Sequence, residues 1–429
     1  MLITLTDDQR TSLGDDLLQR FLRYVQIDST AVKANPTSTD PSSPGQIEML
    51  RLLKRELSGL PGLSDIEIAG RYLYATLPAS PGAVGPPIGL LAHVDTSYEV
   101  SGKGVKPVVI REYDGSEIRF PDNPDLVLSP DDSDCPVLRE FKGKTIITAS
   151  GTTNLGADDK CGVADIMALV KFLLEHPEWP HPELRLVFTT DEEIGHGVEH
   201  IDYSRLPKYC YTVDGAGPGE IECESFDASE ATLVFNGRVF HPGQQGYKRL
   251  VNAAVAAARF ATLLPATEAP ESTTGWDGFF YVTDISGTCA EAKITLIMRD
   301  FTEAALARRA EVLTRIKDTV LATTPDLAVE LTIKPQYSNM RRYVDQHPAS
   351  MELLRAAVID AELTPKEIPI RGGTDGCALS KNGHPCPNIF AGEFNFHSLT
   401  EFAVLEVMVS AVETMLHLCR RWAEHEAAA

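Results

Sequence analysis

The chain has 429 residues with 61 Asp plus Glu against 39 Lys plus Arg, a formal net charge of −22 at pH 7, which excludes a partner recognised mainly through its phosphates. At 43% apolar and 23% charged residues, and with no run near the ~18 to 20 apolar residues of a membrane span, the composition is that of a soluble globular protein of roughly two to three domains. The opening MLITLTDDQR lacks the basic and apolar segments of a secretory signal, and eight cysteines without a CxxC pair read as reduced thiols, so a cytoplasmic protein is expected.

Apolar positions recur at helical spacing over 14–25 (GDDLLQRFLRYV) and 46–58 (QIEMLRLLKRELS). Short apolar runs follow at 72–77, 88–94 and 145–149, then a helical pattern at 157–174, then further runs at 184–190 and 210–214. Strands alternating with helices predict an α/β layer structure with a largely parallel sheet. From about Glu220 the texture changes: a strand-like ATLVFNG, an Ala-rich helix at 247–264, strand-like AKITLIMRD, a helix at 303–323 and AVELTIK. This β-α-β-β-α-β order, with a crossover at 265–278, suits a small ferredoxin-like α+β unit. After Pro335 the βα texture resumes, with a strand at 387–392 and a closing helix at 401–422. The reading is one α/β domain, residues 1–215 and 337–429, interrupted by a smaller one at 216–336. The only low-complexity stretch is the terminal EHEAAA.

Chemistry gathers at the predicted strand ends. His93 and Asp95 close the apolar run IGLLA and, two residues apart, share one side of a strand, at the carboxyl edge where open α/β sheets place their sites. By itself such a pair also suits a hydrogen-bonded surface. Asp158 and Asp159 open the helix at 157–174, where an acid favours the helix start, although capping needs only one. Asp191, Glu192 and Glu193 end LRLVFTT, either as a solvated charge run or as hard ligands with a general base. Asp214 ends CYTVD, and His397 follows PNIFAG. Mixed imidazole and carboxylate groups at one edge suit divalent zinc, and a shared carboxylate is a common way to hold two ions ~3.5 to 4 Å apart. His196-Gly197-Val198-Glu199-His200 fits the HxxEH pattern, which needs both imidazoles on one helix. Gly195, Gly197 and Pro207 oppose a helix there, and no metal site is expected from it.

HVDTS (93–97), LGADDK (155–160), TTDEEIGHG (189–197), YTVDGAGPGE (211–220), FHPGQQG (240–246), RGGTDG (371–376) and PCPNIF (385–390) together resemble the dinuclear zinc metallopeptidase family of glutamate carboxypeptidases, dipeptidases and succinyl-diaminopimelate desuccinylase. YTVDG, IRGGTDG and PCPNIF point to its tripeptide aminopeptidases. The resemblance runs in order from about residue 15 to 420. It implies a zinc-exopeptidase-type catalytic domain with two zinc ions per subunit, one held by His93, Asp158 and Asp214, the other by Asp158, Glu193 and His397. Asp158 bridges, Asp95 orients His93, Glu192 is general base and then acid, and the Asp158–Asp159 peptide is cis. The inserted domain is implied to be a dimerisation and lid unit whose His241 reaches the second subunit's site to stabilise an oxyanion. Arg371 with Gly372 and Gly373 is implied to receive a peptide carboxylate, with Arg299 as a companion. The chain departs from the family at Tyr98, where a proline is expected, and at Cys161, where a small Ala is. The expectation is a homodimeric enzyme that removes the first residue of tripeptides. The same ligands suit a dipeptidase or an N-acyl-amino-acid deacylase. From another class, a catalytically silent metal-binding interaction protein would need neither Glu192 nor His241.

Overall fold

The computed structural model describes residues 4–33, 40–131 and 135–426; the last three alanines of EHEAAA lie outside them. The chain forms two units, Met1–Cys223 with Arg342–Ile368 and Thr374–Ala429, and Glu224–Arg341 with Pro369–Gly373.

The first unit is built on an eight-stranded sheet in the order Ser64–Ala69, Tyr72–Leu77, Leu184–Thr189, Ile88–His93, Tyr209–Gly215, Asn388–Phe390, Glu220–Ser225, Lys366–Ile370. Four consecutive strands, Leu184–Thr189 through Asn388–Phe390, are mutually parallel, while Tyr72–Leu77 and Glu220–Ser225 join them antiparallel. Every residue of Tyr72–Leu77 and of Ile88–His93 is buried, which is why these strands read as continuous apolar runs rather than alternating ones. Helix Ala157–Glu175 packs on Ile88–His93 and Tyr209–Gly215, and also against the closing helix Leu405–Glu424. With four strands parallel, four carboxyl ends open on one edge.

Two helix starts lie earlier than the apolar pattern. Asp7–Tyr24 begins at a capping box, in which Thr6 Oγ1 accepts from Gln9 N at 3.2 Å and Gln9 Oε1 accepts from Thr6 N at 2.9 Å. Pro44 begins the helix Pro44–Ser58, its missing N–H costing nothing at that position. The closing helix starts later than expected, at Leu405. Phe402–Val404 is instead a buried strand between Glu393–Phe394 and Ile146–Thr148, and a run as apolar as FAVLEVMV has no period that separates strand from helix.

In the second unit, Phe279–Gly287, Glu291–Asp300, Asp227–Asn236 and Ala328–Pro335 form an antiparallel sheet in that order. With helices Ala253–Thr262 and Glu303–Thr323 the chain order is β-α-β-β-α-β. Ala292, Ile294, Leu296 and Met298 alternate on one buried face, as a sheet covered by helices on one side requires. The Ala-rich helix is shorter than its composition suggests. Gln245–Arg249 is a 3-10 turn, Val251 pairs with Arg238 through two backbone bonds of 2.9 and 3.0 Å, and Asn252 Oδ1 accepts from Val255 N at 3.2 Å. The cap fixes the start at Ala253. All eight cysteines are reduced thiols, and no described helix is long and apolar enough to cross a membrane.

Candidate metal centre

His93 ends its strand at the open edge with its side chain buried. Its Nε2 lies 2.9 Å from Asp158 Oδ1 and 3.6 Å from Asp214 Oδ1, Asp214 being the penultimate residue of Tyr209–Gly215. Asp158 is delivered by an unusual helix start. Gly156 has φ +76°, and a Cβ there would meet Thr96 Cγ2 at 3.0 Å, so glycine suits the position twice over. Asp158 and Asp159 depart from helical angles and the peptide between them is cis. Asp158 caps none of the first N–H groups of the helix. Instead the N–H groups of Leu155, Gly156 and Asp158 all donate to the buried Glu401 carboxylate, at 2.7, 2.8 and 3.1 Å. Asp159 turns inward, Oδ2 accepting from His93 N at 3.0 Å and Oδ1 from Gly162 N at 3.1 Å.

A second group forms around the other Asp158 oxygen. His397 Nε2 is 2.9 Å from Glu193 Oε2 and 3.3 Å from Asp158 Oδ2. Glu192 and Glu193 begin a 3-10 turn, Glu192–Ile194, just beyond Leu184–Thr189, and their N–H groups donate to the two Asp95 oxygens at 3.2 and 3.1 Å. His93 Nδ1 lies 3.2 Å from the Asp95 carbonyl oxygen and 3.5 Å from its Oδ1, so one buried residue ties the first imidazole to the turn bearing both glutamates. Asp191, at φ +60°, is fixed by Arg71, Ser42 and Gln46, whose Nε2 donates to it at 2.7 Å. Among the described residues, His93, Asp158 and Asp214 form one group of close donor atoms, Asp158, Glu193 and His397 a second, and Asp159, Asp214 and Glu393 a third.

Burial pushes Glu192 well above the usual carboxylate range and Glu193 up to about 8. Burial alone would lower His397, yet Asp158 and Glu193 push it up to about 11, and Asp158, Asp214 and Asp95 likewise raise the buried His93. Asp158, despite burial, is held well below the usual range by the two imidazoles. The crowded acids thus favour positive charge on both imidazoles. Glu193 Oε1 is buried and accepts no hydrogen bond, a costly state unless a cation meets it. With one imidazole and two carboxylates in each of the first two groups, the donors fit two divalent ions of the zinc kind.

The remaining expected residues lie in the second unit. His241 is exposed, and its Nδ1 accepts from Gly243 N at 3.1 Å. Arg299 donates to Met298 O at 3.0 Å and Ser229 O at 3.4 Å and lies over the Tyr337 ring. Arg371 donates to Gly275 O at 2.9 Å, Asp277 O at 2.8 Å and Thr273 Oγ1 at 2.8 Å, over the rings of Phe226 and Phe279. Beside it are Gly372 and Gly373, and a Cβ on Gly373 would meet the Tyr337 ring at 2.9 Å. His196–His200 forms turns, not a helix, with His196 Nδ1 2.7 Å from Glu199 Oε2. Sequence reasoning missed Glu401 and Asp375, whose Oδ2 accepts from Thr189 Oγ1 at 2.7 Å. The quoted RGGTDG contains Asp375, whereas nothing local marks Glu401.

The sequence matches peptidase family M20/M25/M40 over residues 154–421. Peptidase T of Shewanella sediminis is 42% identical to it over 419 residues, covering 96% of this chain and 99% of that one. For peptidase T of Listeria innocua the identity is 40% over 417 residues, covering 96% and 100%. The crystal structure of aminopeptidase PepT from Bacillus cereus superimposes with a TM-score of 0.73 at 21% identity, covering 96% of this chain and 99% of that one, a likeness of fold.

Proposed function

The chain belongs to peptidase family M20/M25/M40, and from that premise we propose that it is a metallo-aminopeptidase that uses two zinc ions to remove the N-terminal residue of tripeptides. One observation carries the reading: two groups of donor atoms share Asp158 and stand beside a half-buried acid, Glu192, that belongs to neither. His93, Asp158 and Asp214 would hold one zinc, and Asp158, Glu193 and His397 the other. Bound there, the ions supply the Lewis acidity that makes water nucleophilic near neutral pH and polarises the scissile carbonyl.

The chain's own residues do the rest. Glu192 takes a proton from the attacking water and passes it to the leaving amine, and burial, by raising its proton affinity, suits it to carry that proton. Asp95 keeps His93 turned so that Nε2 faces the ion. Arg371, with Gly372 and Gly373, receives the peptide carboxylate, and Arg299 assists; an arginine has five N–H donors, more than either gives to its own unit. A second copy of the chain, joined through residues 216–336 as a dimerisation and lid domain, supplies its His241 to the developing oxyanion. Supporting that role, His241 is exposed, and the outermost strand of its sheet, Phe279–Gly287, exposes Tyr281 and Ile285. Eight reduced cysteines fit a reducing, cytoplasmic setting.

The test is a panel of di-, tri- and tetrapeptides with free and blocked N-termini, offered to zinc-loaded protein. Release of the first residue from free tripeptides, with blocked ones refused, is the expected result. Preferred cleavage of dipeptides or of N-acyl amino acids would replace the tripeptide reading.

A further inference from the structure

Four residues beyond Asp95 the same segment presents another acid, and Glu99 Oε2 lies 3.2 Å from His397 Nδ1. Metal-bound imidazoles characteristically give their second nitrogen to a carboxylate, which fixes the ring and its tautomer. Asp95 serves His93 in that way, with its carbonyl oxygen 3.2 Å and its Oδ1 3.5 Å from Nδ1. We infer that Glu99 is the corresponding positioning residue for His397, and that its exposed setting makes the ion at Asp158, Glu193 and His397 the more labile of the two. The inference rests on the dinuclear reading above.

One short stretch thus orients both imidazoles, and it is well anchored. Thr96 N donates to Ser29 O at 3.3 Å and Thr96 O accepts from Ala31 N at 2.9 Å. Ser97 Oγ accepts from Glu99 N at 3.3 Å, and Lys33 Nζ sits 4.1 Å from the centre of the Tyr98 ring, so the side chain where a proline was expected helps to fix the residue before Glu99. The two ends differ sharply in solvent access. The side chains of His93 and Asp95 are 2% and 0% exposed, whereas those of His397 and Glu99 are 37% and 52% exposed. Water competes for the second pair and not for the first. Loss of Glu99 should therefore free one ring and one ion, and leave the other untouched.

The experiment counts bound zinc by mass spectrometry after equilibration against a series of chelator-buffered free-zinc concentrations. Wild-type protein should release two equivalents in separate steps. Glu99→Ala should move the weaker step to ~10- to 100-fold higher free zinc and leave the tighter step in place. Glu99→Gln, which keeps an acceptor oxygen, should fall between. The inference is overturned if wild type holds two ions and Glu99→Ala leaves the weaker step in place or shifts the tighter one, or if Glu99→Gln fails to recover any of the shift. A wild-type protein that holds a single ion overturns the dinuclear reading itself and the inference with it.

Discussion

Glu192 and Glu193 start the same turn and share a partner in Asp95, and what separates them is where each carboxylate goes. Glu193 Oε2 meets His397 Nε2 at 2.9 Å, whereas Glu192 stands outside both Asp158 groups. Glu192→Ala should accordingly lower turnover by ~10²- to 10⁴-fold with both zinc ions retained. Glu193→Ala should lose one ion, and steady-state kinetics beside a zinc count separates the two. A second prediction follows from the protons on His93 and His397. Neighbouring carboxylates raise the proton affinity of both imidazoles, and a zinc ligand must shed its proton. Metal binding should release protons, and affinity should rise with pH. Calorimetry in two buffers of different ionisation enthalpy measures the release; equal heats in both would contradict it. The types and order of these residues were legible because each follows an apolar strand or opens a helix. Their shared geometry was not, because Asp158 meets His397 across more than two hundred residues of chain.

At the scale of the element, the start of helix Ala157–Glu175 depends on a group that no local rule reveals. Glu401 is 245 residues from Gly156 in sequence, and it was readable only as the first residue of a helix that in fact begins at Leu405. Its carboxylate satisfies three N–H groups, and leaving even one buried donor unpaired costs about 1–3 kcal/mol. Glu401→Ala should lower the unfolding free energy of the metal-free protein by at least that amount in a urea titration, and should weaken zinc binding by releasing Asp158. An unchanged midpoint would mean that the loop holds itself. Where caps and period agreed, elements were legible: Thr302 Oγ1 accepts from Ala305 N at 3.1 Å and opens Glu303–Thr323 at the residue the pattern marks. The run of alanines before Phe260 has no polar face to set its limits, and only the Asn252 cap does so.

For the molecule as a whole, the alternation of strands and helices was enough to reach a parallel-centred sheet, since fully buried strands betray themselves by unbroken apolar runs. The short return of Pro369–Gly373 to the second unit was not legible, because Arg371 joins that unit through carbonyls at Gly275 and Asp277, and carbonyls carry no sequence signal. If His241 acts across a dimer, mixing inactive Glu192→Ala and His241→Ala protomers should restore activity that neither has alone. One site of the mixed dimer then carries both defects and the other carries neither. Verified subunit exchange without recovery would place His241 in its own subunit's service. The most direct test of the central claim is to strip the protein of metal and follow hydrolysis of a free tripeptide while zinc is returned stepwise. Turnover should be absent at the start and complete at two equivalents per chain. Full turnover without metal, or none after two equivalents are bound, would contradict the account.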